Sequence, residues 1–378
     1  MNDQQEFLRS NVAPILASHF RGGSLASQSL YVDPVAGFIT ALLPVVKEKV
    51  DSVLTQVSNQ PELVSQFISE LMTFDQAVRN EFKYDGGNLD VGWKGLSWGV
   101  LDVWFDQWSE VEKDFALKRY QDIIRAPDAG DIDYDGTPLG KTKATHGAAK
   151  VTNLIATVTT TYNRLRKFSQ KVRFLINIQA EILDHYLGRL NDSLEIYQAT
   201  TSAVGRTLHG VTREQQAALE GLGGLESLCK VFGSAEHMIS MLREWSNEEV
   251  NVFDPLSKRM INKIPQFFVE LWEELQNRAK TTNVKDNLAG SMTYAEVKDV
   301  TSDAVGSESE GSLFDVTINN YKSIQNKADN LIEQAIKYSF STIFKQYLSK
   351  AQWTTIGDLP TPSKLWIPMG LKSPLISP

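Results

Sequence analysis

The chain has 378 residues, 42% of them hydrophobic, with 24 glycines and 13 prolines, so it is long enough for about two or three folded domains and is neither collagen-like nor wholly disordered. Thirty-eight Lys and Arg stand against 46 Asp and Glu, a formal charge of -8, which argues against a sequence-independent grip on nucleic acid. The one cysteine, Cys229, has no internal disulfide partner, and its place in the apolar run 225–232 predicts a small buried hydrophobe in a reducing compartment.

Apolar residues recur at steps of three and four along most of the chain, which predicts an all-α protein. No apolar run is long enough to span a membrane, and the first ten residues have neither the basic nor the apolar region of a secretory signal, so a cytosolic protein is expected. Residues 1–36 hold no sustained stripe and are predicted to be poorly structured. A first helical bundle is predicted over 37–127. Its opening stripe is Ile39, Leu42, Leu43, Val46, Val50, Val53, Leu54 and Val57, with Pro44 inside as a source of a kink. A second helix, opened by Pro61 and closed by Gly86 and Gly87, carries Leu63, Phe67, Leu71, Phe74, Val78 and Phe82 and is expected to lie antiparallel to the first. A third places Leu101, Trp104, Phe105, Trp108, Val111, Phe115 and Tyr120 on one side, an aromatic stripe that reads as core packing.

Residues 128–143 read as an acidic polar loop, and 144–280 as a second helical bundle. There the stripe Val151, Leu154, Ile155, Val158, Tyr162 and Leu165 sets the helical period against a run of threonines that favours a strand, and the period is the stronger signal. Residues 168–200 extend the period into a rod of about 50 Å at the usual helical rise. Thr212 with Gln215 has the spacing of a capping box for a helix reaching Trp245, and a further helix presents Phe268, Leu271, Trp272 and Leu275. Residues 281–312, rich in Ser, Thr, Gly, Asp and Glu, read as an acidic linker or long loop. Ser312 and Asp315 open a long helix over 313–349, read as the start of an incomplete C-terminal bundle, and 350–378 is a Pro-rich tail.

Two local patterns carry chemistry on paper. Gly136 to Thr142 (GTPLGKT) resembles a phosphate-binding loop but has one residue too few between its glycines, and a carboxylate, Asp135, precedes it. Asp131, Asp133, Asp135 and Gly136 match the first half of a calcium-binding loop whose final ligand position is filled by Thr142. A nucleotide- or calcium-dependent switch built on 131–142 is therefore the alternative reading. The five histidines are scattered; Glu181 and His185, four apart on one helix, read as a surface ion pair. No nucleophile, metal or cofactor signature emerges, and neither an enzyme nor a cofactor is expected.

Three blocks go further. Residues 173–190, with Phe174, Gln179, Asp184, Tyr186 and Arg189, resemble the RINT/TIP family of vesicle-tethering subunits. Trp108, Glu112 and Phe115 are similar to that family's W-x-x-x-E-x-x-F-A stretch, and Phe268, Glu270 and Trp272 to its FFxELWxEL stretch. The likeness implies an elongated rod of stacked helical bundles of the CATCHR type, with these residues holding the rod together. It also implies a peripheral protein on the cytoplasmic face of the endoplasmic reticulum, in a Dsl complex (fungi) or NRZ complex (animals) that captures COPI vesicles returning from the Golgi. Expected partners are the other tether subunits and ER SNAREs; a scaffold role in checkpoint or DNA-repair signalling is a further alternative. The chain is expected to correspond to the middle-to-C-terminal part of the family.

Overall fold

The computed structural model describes residues 2–26, 32–88, 90–135, 142–201, 221–246, 263–281, 288–290 and 292–348. Among them every named element is helical, and extended pairing is confined to isolated bridges between Ile132 and Thr145 and between Ala289 and Met292. The glycine-rich turn 136–141, the capping box at Thr212 and the tail 350–378 lie outside the described residues.

Much of the N-terminal segment is helical, contrary to the expectation for residues 1–36: α1 (Asn2–Phe7), a π-helical turn (Leu8–Val12) and α2 (Ala13–His19), followed by turns over 20–26. Leu8 packs against a small core of Val35, Ala36, Ile39, Val78, Phe82 and Tyr84, burial that makes order possible without a long heptad stripe. Helix α3 (Pro34–Val57) begins where the Asp33 carboxylate accepts the Val35 N–H at 2.8 Å, and Pro34 costs nothing in the first turn, which has no intrahelical acceptor to lose. It packs on α4 (Pro61–Glu81), which packs in turn on α5 (Leu96–Arg125).

Helix α6 (His146–Tyr162) resolves the conflict between threonine propensity and period. Thr157, Thr159, Thr160 and Thr161 each donate to the carbonyl four residues back, at 2.8, 2.7, 2.9 and 3.1 Å, so the hydroxyls are satisfied within the helix. Helix α7 (Phe168–Phe174) runs through a second π-helical turn (Leu175–Ala180) into α8 (Glu181–Thr201). Helices α9 (Leu222–Trp245), α10 (Lys263–Thr281), α11 (Tyr294–Val300) and α12 (Asp315–Leu348) complete the bundle. One apolar core runs from Val50 to Leu331. The segment entering α6 crosses α9 at Gly233, where a Cβ would fall 2.1 Å from the Lys143 carbonyl oxygen, so no larger residue fits without displacing that backbone.

Three expectations need correction. Cys229 is exposed, because the buried face of α9 runs through Leu228, Val231, Ala235, Met238 and Leu242 and leaves position 229 outside it. The described part of 281–312 is packed: Leu288, Ala289, Val297, Ala304 and Val305 are buried, and α11 opens on a complete capping box between Thr293 and Glu296. Acidic composition suggested a linker, but the carboxylates face outward while few, well-spaced apolar residues face the core. Finally, α12 does not stand off as the start of a separate bundle in its first half. Leu313, Phe314, Ile318, Tyr321 and Ala328 are buried against α9 and α8, whereas Ile336, Tyr338, Phe340 and Phe344 beyond them are exposed.

Candidate functional site

The first two sequence blocks meet at one place. Trp108 on α5 is fully buried, with its ring 5.4 Å from that of Tyr162 on α6 and 6.2 Å from that of Phe174 on α7. One turn further along α5, the Glu112 carboxylate accepts hydrogen bonds from the Ser65 hydroxyl on α4 and the Tyr162 phenol. Three helices are thereby pinned by one carboxylate. Burial, then the charge of Glu112 and its bond to the phenol, raise the Tyr162 pKa far above the usual tyrosine value, so the phenol stays a donor. Gln179, in the π-helical turn and 2% exposed, donates from Nε2 to the Thr159 hydroxyl at 2.6 Å, tying α6 to the long helix one turn away.

Tyr186 joins a second polar cluster. Its hydroxyl lies 3.5 Å from the Thr145 hydroxyl, which is 2.9 Å from that of Ser234 on α9. The Thr145 hydroxyl also caps α6 by accepting the Ala148 N–H at 3.3 Å, so the start of one helix is locked to the flank of another. Asp184 and Arg189, on the same helix, are exposed. The third block forms an aromatic joint: Phe268 is buried 5.9 Å from the Trp245 ring and 4.9 Å from that of Phe314, so α10, α9 and α12 meet there. Trp272 is only partly buried at the edge of this joint, and Glu270 is exposed, accepting from Gln266 at 2.8 Å.

Phe115 departs from the packing expected of it. It is 44% exposed and lines an open groove of about 450 Å³ between α5 and α6 with Arg119, Lys150, Thr157 and Tyr162. Glu181 pairs with Lys113 at 2.7 Å and with His185 at 3.8 Å, on the helix surface. In the acidic loop the Asp133 carboxylate turns back to accept the Asp135 N–H at 3.2 Å, while the Asp131 carbonyl accepts the His146 N–H at 2.9 Å. Among the described residues no three His, Cys, Asp or Glu side chains converge to hold a metal ion, and no helix is long and apolar enough to cross a membrane.

Sequence reasoning missed Asp75 on α4. Fully buried, it accepts the backbone N–H groups of Leu96 and Ser97 at 2.9 and 2.8 Å and so caps α5 from another helix. A carboxylate on the buried side of the α4 stripe was its one signal.

The arrangement is one of joints: Trp108, Glu112, Phe174, Gln179, Tyr186 and Phe268 of the sequence blocks are spent on contacts between helices, whereas Phe115, Asp184, Arg189 and Glu270 face outward. The RINT-1/TIP-1 family model matches residues 1–376. No curated protein and no solved structure matches the chain.

Proposed function

The chain belongs to the RINT-1/TIP-1 family, and on that premise we propose that it is a non-catalytic scaffold subunit of a tethering complex on the cytoplasmic face of the endoplasmic reticulum, capturing COPI vesicles in Golgi-to-ER retrograde transport. The family match over nearly the whole chain carries this reading. The joints around Glu112, Tyr186 and Phe268 support it physically, because a tether works by holding its length and presenting faces to partners. Its partners are the other Dsl- or NRZ-type subunits and ER SNAREs.

The mechanism is associative. Helices α7 and α8, with the π-helical turn between them, form one continuous element of about 50 Å at the helical rise. Contacts of Thr145 with Tyr186 and of Thr159 with Gln179, near the two ends of α6, hold it in register along that element. Acute depletion of the protein tests the reading: ER residents bearing a retrieval signal should leak into the secretory pathway. Normal retention after depletion overturns it.

A further inference from the structure

The chain is acidic overall, yet residues 136–180 contain eight Lys and Arg and no Asp or Glu. The fold brings the middle of that stretch, the turn between α6 and α7, against the end of α4 and the loop that precedes α5. Two guanidinium groups converge there on one acceptor: the Trp93 carbonyl receives Arg166 at 2.8 Å and Arg79 at 3.4 Å, and Arg166 also reaches the Val91 carbonyl at 3.2 Å. Two ammonium groups share one indole, with Lys94 Nζ 5.1 Å and Lys167 Nζ 4.7 Å from the Trp98 ring. Asp75 and Asp102 lie against these cations, and an exposed carboxylate, Asp90, precedes Val91 in the loop. Asp75 is buried and committed to the start of α5, and Asp102 is paired with Lys167. Lys94 and Arg166 are exposed and have no ion pair among the described residues.

Like charges therefore crowd one face of a negatively charged molecule. Burial and then Lys94 lower the Lys167 pKa; burial lowers that of Arg79 against the pull of Asp75, with a smaller push from Arg166. Such crowding costs the isolated protein and is relieved by an anionic partner. In the loop, Val91, whose carbonyl Arg166 reaches, is 53% exposed, and Trp98, against which Lys94 and Lys167 lie, is half-buried.

We propose that this face, built on Lys94, Arg166 and Lys167 around Val91 and Trp98, docks on the anionic headgroup surface of a membrane leaflet. Cations near such a surface are attracted to its negative potential, and an indole suits the headgroup level. The exposed Val91 separates a bilayer from a soluble polyanion, which offers an apolar tip nothing to enter. The inference rests on the tether reading, since it gives that peripheral scaffold a membrane contact of its own.

The test is co-sedimentation of the full chain with vesicles of phosphatidylcholine alone and with about one-third phosphatidylserine. Binding is expected only to the anionic vesicles, falling as ionic strength rises from about 0.1 M to about 0.5 M. Lys94→Glu with Arg166→Glu should weaken partition by roughly 30-fold or more, from the attraction of each cation to the leaflet. The reversals Lys49→Glu with Lys118→Glu, which alter net charge equally on exposed faces of α3 and α5, should change it by no more than about threefold. Circular dichroism checks folding. If the first pair unfolds the chain, Lys94→Glu alone carries the comparison, with a loss of about fivefold. Equal binding to both vesicle types, absence of binding, equal loss in the control pair, or displacement by inorganic phosphate at constant ionic strength overturns the proposal. Absence of vesicle binding alongside a retrieval defect on depletion sinks this contact and leaves the tether reading standing.

Discussion

Asp75 and Ser97 sit on neighbouring helices, 22 residues apart, and are joined twice: the Asp75 carboxylate accepts the Ser97 N–H at 2.8 Å and the Ser97 hydroxyl at 2.5 Å. Gly95 makes this possible. Its φ of +96° turns the chain into α5, and a Cβ there would fall 2.3 Å from Asp75 Oδ2. Asp75→Ala strips the cap and leaves the buried Ser97 N–H and the part-buried Leu96 N–H unpaired, so chemical denaturation should show a loss of about 2–4 kcal/mol. Burial outweighs these bonds and raises the Asp75 pKa above its ordinary 3.8. The folded chain then holds the proton more tightly than the unfolded one. This group's contribution to stability declines as pH rises from that ordinary value through the raised one, and Asp75→Asn should flatten that slope.

Trp108 and Trp272 both belong to the sequence blocks, but only the first is wholly enclosed. Trp108→Ala should cost about 3–5 kcal/mol, and Trp272→Ala about half as much. Equal losses in urea unfolding would contradict the burial difference.

Gln179→Leu removes a donor to Thr159 but keeps the side chain's bulk, and the Thr159 hydroxyl retains its bond to the Ile155 carbonyl at 2.7 Å. A loss of about 1 kcal/mol is expected, with the helical circular dichroism signal unchanged. The change should appear as faster amide exchange in α6 and the π-helical turn. A loss of several kcal/mol would make the amide a keystone of the fold rather than an aligning contact.

Burial drives the Tyr120 pKa from 10.0 to about 12, opposed by Arg189. The folded state holds this proton more tightly than the unfolded chain, so its contribution to stability is whole below pH 10.0 and falls between there and about pH 12. Tyr120→Phe should reduce the alkaline decline in melting temperature over that window. An identical decline in both proteins would place the loss elsewhere.

Much of the helical framework was legible because one apolar face per helix leaves a period of three and four, as in Ile155, Val158 and Tyr162, and that signal outlasted the strand propensity of the intervening threonines. What escaped was set by neighbours distant in sequence. Asp75 gains meaning only from the α5 terminus, and Phe115 lies on the edge of its stripe, where the partner helix decides exposure. The packing of the described residues within 281–312 was hidden by composition, although Thr293 and Glu296 carried a readable capping signal. The joints at Trp108 and Phe268 were visible as motifs. Their pairing partners, Tyr162 and Trp245, were visible only as members of other stripes.

The most direct test of a scaffold that acts by association is quantitative affinity capture of the tagged full chain from its own cells. The account predicts stoichiometric recovery of the other subunits of an ER tethering complex together with ER SNAREs, undiminished by nucleotide or by calcium chelation. Recovery of the chain without those subunits, or a complex that forms and dissolves with nucleotide or calcium, would contradict it.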